Sequence, residues 1–459
     1  MAVEAFPNGF PWGVATSAFQ IEGAHDVDGR GPSIWDTYAA QPGLIEDGTN
    51  AQVACDHYHR YAQDIALMES LRVQAYRFSV AWPRILPSGR GAINVAGLDF
   101  YDRLVDGLLA AGIVPWATLY HWDLPQALED EGGWTNRSIV DAFVEFANAV
   151  TMRLGDRVAH WITHNEPWCV SVLGYAQGAH APGKKNWPDA LLASHHLLLS
   201  HGRALRVIRQ NALGAEVGIT LNVSECEPAS PSEADRLAAR QFDGELIRWF
   251  LDPIYFGRYP EDVIEYHERE GRLPDGMDFV KPGDLEEINT PIDFLGVNYY
   301  SRAVVRSARI PEAENEPRTI PVPDPAELTD MGWEVCPEGL THSLVRLNAD
   351  YEPGSLIITE NGAAYPTGPG DDGSIRDTRR CDYVISHLRA CLAAIDAGVP
   401  LHGYFLWSLL DNFEWAFGRS KRFGIVWVDF ETQERIVKAS GYMYRRIIQA
   451  NKLSEDQVA

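Results

Sequence analysis

The chain has 459 residues, 46% of them hydrophobic, which is too long for one small core and suits several ordinary domains or one large α/β barrel. Its 39 basic and 64 acidic residues leave a net charge of −25, which disfavours nucleic acid and anionic membranes and points to a neutral or cationic small ligand. The composition excludes disorder, collagen and coiled coil, and no apolar run approaches the roughly 18 residues of a membrane span.

The N-terminal "MAVEAFPNGFPWG" lacks the basic and apolar regions of a signal peptide, so a cytoplasmic location is expected. The cysteines, at 55, 169, 226, 336, 381 and 391, are far apart and form no CxxC. In a long cytosolic chain that spacing predicts reduced, mostly packed thiols.

Short, nearly continuously apolar runs recur at residues 13–19, 75–80, 114–120, 160–165, 217–223, 293–300, 356–361 and 402–410. Unbroken apolarity, rather than alternation, predicts parallel strands buried on both faces. Between them lie helical stretches such as 94–112, 136–155 and 378–398, with apolar residues at i, i+3, i+4 spacing and a glycine closing each one. Strand–helix units repeated in this way predict a closed (β/α)8 TIM barrel, with the whole chain, 1–459, as a single catalytic domain. A doubly wound sheet would want a glycine-rich phosphate loop after the first strand, and "GVATSAFQ" is not one. The stretches 224–290 and 301–354 exceed what a plain unit needs, and the second, rich in proline and charge, reads as an elaborated loop over the cleft.

A barrel's ligand site lies at the C-terminal ends of its strands. Glu166 follows the fourth run, in "ITHNEP", and Glu360 closes the seventh, in "IITENG". Two carboxylates on one rim suit glycoside hydrolysis, where one donates a proton to the leaving oxygen and the other attacks or activates water. The other strand ends carry Gln20, Arg77, His121, Trp122, Asn165, Asn298, Tyr300 and Trp407. Amide, imidazole, phenol and indole groups converging on two carboxylates would serve sugar hydroxyls and the C–H face of a pyranose. Core packing would account for any single tryptophan, less readily for Trp122, Trp407 and Trp415 beside polar partners.

From about residue 6 to about 448 the chain resembles the glycoside hydrolase family 1 β-glucosidases. "FPWGVATSAFQIEGA", "GRGPSIWDTY", "YRFSVAWPRILP", "LYHWDLPQAL", "THNEP", "GVNYYS", "ITENG" and "WSLLDNFEWAFGRSKRFGIVWVDF" match that family's motifs in its order. The resemblance implies a retaining exo-β-glucosidase, with β-galactosides and β-fucosides as further substrates, acting through a covalent glycosyl-enzyme. It makes Glu166 the acid/base and Glu360 the nucleophile, with Asn298 and Tyr300 supporting the pair and Arg77 beside Glu360. Gln20, His121, Asn165, Trp407, Glu414 and Trp415 would hold the glycone, while Trp122, Trp333 and Phe423 would shape the outer site. Arg77 would favour ionised Glu360, and a desolvated Glu166 would hold its proton. His164 stands where the family usually has an apolar residue, and Cys169, three residues after Glu166, reads as a buried packing thiol at the cleft wall.

Rival chemistries find less support. The histidines of "HYH" (57–59) and "SHHLLLSHG" (194–202) form no HExxH, and His196 and His201 are five apart. "GYAQG" at 174–178 has alanine where a serine hydrolase needs its nucleophile, and no P-loop is present. A 6-phospho-β-glucosidase would replace Glu414 of "NFEW" by a small residue and add cations, and a non-catalytic carbohydrate-binding relative would have lost a carboxylate. No metal or cofactor is expected. The expected partner is a small-molecule β-glycoside, with neither nucleic acid nor membrane, and a homo-oligomer stays open.

Overall fold

Strands that are apolar on both faces must be covered on both, and here the apolar runs meet that need by closing on one another. The computed structural model describes residues 4–307 and 327–453. The barrel strands are β1 (Trp12–Ala15), β2 (Ala75–Ser79), β3 (Val114–Tyr120), β4 (His160–Asn165), β5 (Glu216–Val223), β6 (Phe294–Tyr299), β7 (Leu356–Asn361) and β8 (Leu401–Trp407). Each pairs in parallel with the next, and β8 pairs back with β1, so no edge is left open. This is the (β/α)8 TIM barrel that the spacing of runs and helices predicts.

Around it lie α1 (His57–Ser70), α2 (Val95–Ala110), α3 (Ile139–Leu154), α4 (Trp187–Asn211), α5 (Glu233–Asp243), α6 (Pro337–Tyr351), α7 (Thr378–Asp396) and α8 (Ala439–Ala450). The apolar stripe of α3, with Phe143, Phe146 and Val150 fully buried, sets the pattern by which these helices cover the strands. Gly112 and Gly398, just past α2 and α7, take left-handed φ of 73° and 90° and end those helices. Gly155 ends α3 for another reason: a Cβ there would lie 2.7 Å from the Asn211 carbonyl oxygen of α4.

The barrel interior is filled by Trp116, Ile162, Phe294, Ile357 and Phe405, opposite the small Ala15 and Ala75. The Trp116 ring lies 5.0 Å from that of Phe405 and 5.3 Å from that of Phe294. Gly13 on β1 leaves the room that Phe405 takes, since an added Cβ would fall 2.2 Å from its ring. Large rings at this level plug the barrel, so the open cavity lies above them, at the C-terminal strand ends.

Three expectations need adjusting. The first run ends as a strand at Ala15, and Ala18–Ile21 makes a helical turn that carries Gln20 inward. The last run ends as a strand at Trp407, so residues 408–410 lie beyond it. The expected long loop of 301–354 is only partly a loop. Ala303–Val305 pairs with Cys226–Pro228 as a small parallel ribbon, Pro337–Tyr351 is the barrel helix α6, and 308–326 lie outside the described residues. No helix among the described residues is long and apolar enough to cross a membrane.

Candidate active site

Register alone makes neighbours of the ends of β6 and β7, where Glu360 pairs level with Asn298, while β5 sets Asn222 level with Asn298. Just above the interior plug, Arg77 of β2 acts as a hub. Its Nη1 donates to Glu360 Oε1 at 2.6 Å and to the Thr359 carbonyl at 3.0 Å, its Nη2 to Asn165 Oδ1 at 2.6 Å, and its Nε to Thr118 Oγ1 at 3.2 Å. The second oxygen of Glu360 accepts from the Tyr300 hydroxyl at 2.6 Å. Glu360 thus has a cation on one side and a phenol on the other.

Glu166 is held differently. The chain leaves β4 through Glu166 itself, in left-handed backbone with φ 46°, and then enters the π-helix Cys169–Gln177. Asn298 Nδ2 donates to Glu166 Oε1 at 2.7 Å and to Asn165 Oδ1 at 3.0 Å. The orientation of that amide is fixed by its other end, because Thr359 Oγ1 donates to Asn298 Oδ1 at 2.8 Å. Gly296 supports the same row, since a Cβ there would meet Thr220 Oγ1 at 2.2 Å and break the approach of Thr220 to Thr359. Glu166 Oε2 accepts from the Cys169 thiol at 3.0 Å. All of these donors are neutral.

The electrostatics follow. Burial, then the charge of Glu360, pushes the Glu166 carboxyl up to about 7, against smaller opposing effects of Asn298, Cys169 and Arg77. Burial also raises Glu360, but Arg77 and Tyr300 pull it back down, so of the pair Glu360 ionises first. Arg77 therefore offsets a burial penalty rather than depressing an otherwise ordinary carboxylate. Two carboxylates whose surroundings drive their protonation apart form an acid and a base at neutral pH.

The pair opens into a cavity of about 580 Å³, within the usual range for a small-molecule site. His121, Trp122, Asn298, Tyr300, Trp407, Glu414, Trp415 and Phe423 line it together with both glutamates. Gln20, Arg77 and Asn165 stand behind this lining. Gln20 accepts from Ser17 Oγ at 2.6 Å and donates to Glu414 Oε2 at 3.3 Å, and Asn165 Nδ2 lies 3.1 Å from His121 Nε2. Desolvation, then Arg77, holds His121 well below its ordinary range, so the imidazole is neutral. The Trp407 and Trp415 rings flank it, at 5.9 Å and 6.0 Å with small interplanar angles.

Trp122 lies deeper than an outer-site residue. Its ring packs 4.6 Å from Trp415 and its indole N–H donates to the Asn165 carbonyl at 2.9 Å. Trp122 and Trp415, like Glu166, have left-handed backbone, with φ 79° and 50°. Non-glycine residues held there cost of order 1–3 kcal/mol each and mark places where geometry is imposed for use. Phe423 and Trp333 meet Tyr300 at 6.0 Å and 5.3 Å and form the opposite wall.

The charge of Glu414 is set by its neighbours. Burial and then the two other carboxylates push it up to about 8, so in the open cavity at neutral pH it is mostly protonated. His164 points away from the cavity, with Nε2 2.8 Å from Ser200 Oγ and its ring 4.4 Å from that of Phe143. The other histidines of interest are equally engaged: His201 with Thr163, His195 with Asp284, and His196 with the Trp134 carbonyl. Sequence reasoning missed Trp168, Leu173, His180 and Met331 on the cavity wall; Cys169 is the buried thiol at the cleft wall that was expected, but its contact with Glu166 was not foreseen. For Cys169 the available signal was its place one helical turn after Glu166. Trp168 and Leu173 follow Glu166 on that same segment, whereas His180 and Met331 come from elsewhere in the chain and carry no local signal.

Known proteins give an independent reading. The model of "Glycosyl hydrolase family 1" matches residues 2–453. "Beta-glucosidase A" of Thermotoga maritima is 47% identical over 458 residues, 99% of this chain and all of that protein. The "Bifunctional beta-D-glucosidase/beta-D-fucosidase" of Bifidobacterium breve is 44% identical over 96% of this chain and 98% of its own. The solved structure "Beta-glucosidase from Thermotoga maritima in complex with glucoimidazole" superposes with a TM-score of 0.93 at 47% identity, covering 98% of this chain and all of that one.

Proposed function

The chain belongs to glycosyl hydrolase family 1 and is a retaining β-glucosidase, and from that premise we propose that Glu166 is its acid/base and Glu360 its nucleophile. The observation that carries the assignment is the contrast of partners across one cavity: a guanidinium and a phenol on Glu360, an amide and a thiol on Glu166. The first set favours a carboxylate before substrate arrives. The second leaves a carboxyl that burial and Glu360 keep protonated to about pH 7.

In the first half-reaction the Glu360 carboxylate attacks the anomeric carbon while Glu166 gives its proton to the glycosidic oxygen, and the aglycone leaves as an alcohol. The bond formed is an ester between the sugar and Glu360. That ester carries no charge, so the repulsion that raised Glu166 disappears and the new Glu166 carboxylate becomes a stable base. It takes a proton from water, the water oxygen attacks the anomeric carbon, and Glu360 departs as a carboxylate. Two inversions leave the β configuration. Within the glycone pocket, His121, Asn165, Gln20 and Glu414 serve hydroxyls, and the Trp407 and Trp415 rings give the sugar its apolar floor.

β-Galactosides and β-fucosides are further substrates on this reading. The acceptor and donor capacity of Glu414 and Gln20 at the outer hydroxyls supports tolerance there, and the Bifidobacterium breve relative is named for both glucosidase and fucosidase activity. The barrel is read as the whole of one catalytic domain. The net charge of −25 supports a neutral glycoside rather than nucleic acid as ligand.

Azide rescue separates the two roles. Glu360→Ala loses several orders of magnitude in kcat, and azide restores turnover with the α-glycosyl azide as product. Glu166→Ala loses far more on poor leaving groups than on dinitrophenyl glucoside, and azide yields the β-azide. A β-azide from Glu360→Ala, or equal losses across leaving groups for Glu166→Ala, overturns the assignment.

A further inference from the structure

The mechanism above leaves one contact of the acid/base unused. Cys169 is buried at the cavity wall, and its Sγ lies 3.0 Å from Glu166 Oε2. The contact is built by the chain path. The left-handed φ of Glu166 turns β4 into a helical segment, so the residue three positions on returns over the carboxyl. Ser171, beside it on the same turn, is engaged with the Pro167 carbonyl, which leaves the thiol as the group that this turn offers to Glu166.

The two oxygens of Glu166 are not equivalent. Oε1 faces the amide nitrogen of Asn298, a pure donor whose direction Thr359 fixes, so the transferable proton cannot reside between those two atoms. It must be carried on Oε2, the oxygen that faces sulfur. A thiol is both a weak donor and a weak acceptor. With Glu166 ionised the S–H donates to Oε2, and with Glu166 protonated the S–H can turn aside and leave sulfur as acceptor. Burial, then the charge of Glu166, holds the thiol well above its ordinary range, so it keeps its proton throughout.

We propose that Cys169 is a positioning residue for proton transfer: its thiol assigns the mobile proton to Glu166 Oε2 and stabilises the carboxylate left when that proton has gone. The inference rests on Glu166 being the acid/base. The other charged or titratable groups facing Glu166 are Glu360 from β7, Arg77 from β2, Tyr300 after β6 and Glu414 after β8, and none of them contacts Oε2. Removing the thiol therefore removes the donor specific to that oxygen, and the sign is fixed. The acid becomes weaker and the alkaline limb of activity moves to higher pH.

The test is the pH dependence of kcat/KM on phenyl β-glucoside, whose departure needs a proton. Cys169→Val, which fills the place of the sulfur with a methyl and adds another, and Cys169→Ala, which leaves that place empty, both move the alkaline limb up by about half to one pH unit. Cys169→Ser, which restores a donor and acceptor, brings the limb back to within about a quarter of a unit of wild type. An unmoved limb in the valine and alanine variants, or a serine variant that follows alanine, overturns the proposal and leaves Cys169 as packing. The same wild-type profile on dinitrophenyl β-glucoside tests the premise separately. If its alkaline limb coincides with that on the phenyl glucoside, Glu166 is not the proton donor; if it is weaker and only the cysteine variants fail, the acid/base reading stands alone.

Discussion

Replacing Tyr300 by phenylalanine removes one oxygen atom, 2.6 Å from Glu360 Oε2, and leaves the ring against Trp333 and Phe423. A hydrogen bond to a charged group contributes roughly 1.5–3 kcal/mol, and about 1.4 kcal/mol corresponds to one pKa unit. Tyr300 is half-buried at the cavity wall, so water replaces part of the lost bond and the lower figure applies, a rise of about one unit in Glu360. The active form has Glu360 ionised. Its pKa is already raised, and activity is lost as pH falls through it, so a further rise moves the acid limb to higher pH by about one unit. Because Glu360 and Glu166 feel each other's charge, they titrate as a pair, and the alkaline limb moves slightly the same way but by less than the acid limb, so the active range still narrows. The assay is kcat/KM on nitrophenyl β-glucoside from about pH 4 to about pH 9, with the thermal midpoint of each protein measured alongside. An acid limb that stays in place in a folded Tyr300→Phe protein refutes the argument, since the hydroxyl would then contribute nothing to keeping the nucleophile charged.

Two further outcomes are expected. Glu414→Ser lowers kcat/KM on nitrophenyl β-glucoside about tenfold to a hundredfold, as the loss of one or two strong hydrogen bonds implies, and leaves the 6-phosphate a poor substrate. The reason is that Arg302, the one guanidinium or ammonium among the described cavity-lining residues, is already paired with Glu227 and Glu334; a wild type that prefers the 6-phosphate contradicts this. Gly13→Ala drives a methyl into the Phe405 ring, whose face is fixed by Trp116, and costs about 1–3 kcal/mol, seen as a thermal midpoint lower by several degrees with the active-site pH profile unchanged. A midpoint equal to wild type would mean that the barrel plug has slack the distances deny.

The barrel was legible because apolar runs of strand length alternate with amphipathic stretches, a pattern that depends on local composition alone. Its boundaries were not. Ala18 and Phe19 are as apolar as the strand before them, yet they belong to a helical turn, and only the tertiary need to carry Gln20 toward Glu414 separates the two. Likewise Leu409 and Leu410 extend an apolar run whose strand has already ended at Trp407. Glu166 and Glu360 stood out because a carboxylate at a buried strand end is costly unless used. Their partners followed from the resemblance, but the partner atoms did not: the thiol on Oε2 depends on a left-handed φ at Glu166, which the residue type disfavours. The protonation of Glu414 was hidden for a related reason, since it is set by two carboxylates from elsewhere in the chain.

The four contacts of Arg77 join β2 to β3, β4 and β7 through a single guanidinium. The group that orients the nucleophile is therefore also a cross-brace of the cylinder, spanning strands that lie on different sides of it. A site mounted on loops can loosen while its scaffold stays whole, because loops open at low free energy. Here the nucleophile cannot shift without straining the wall that holds it. Heat or denaturant should then meet an enzyme with little intermediate ground, one that loses its chemistry only as the barrel itself comes apart.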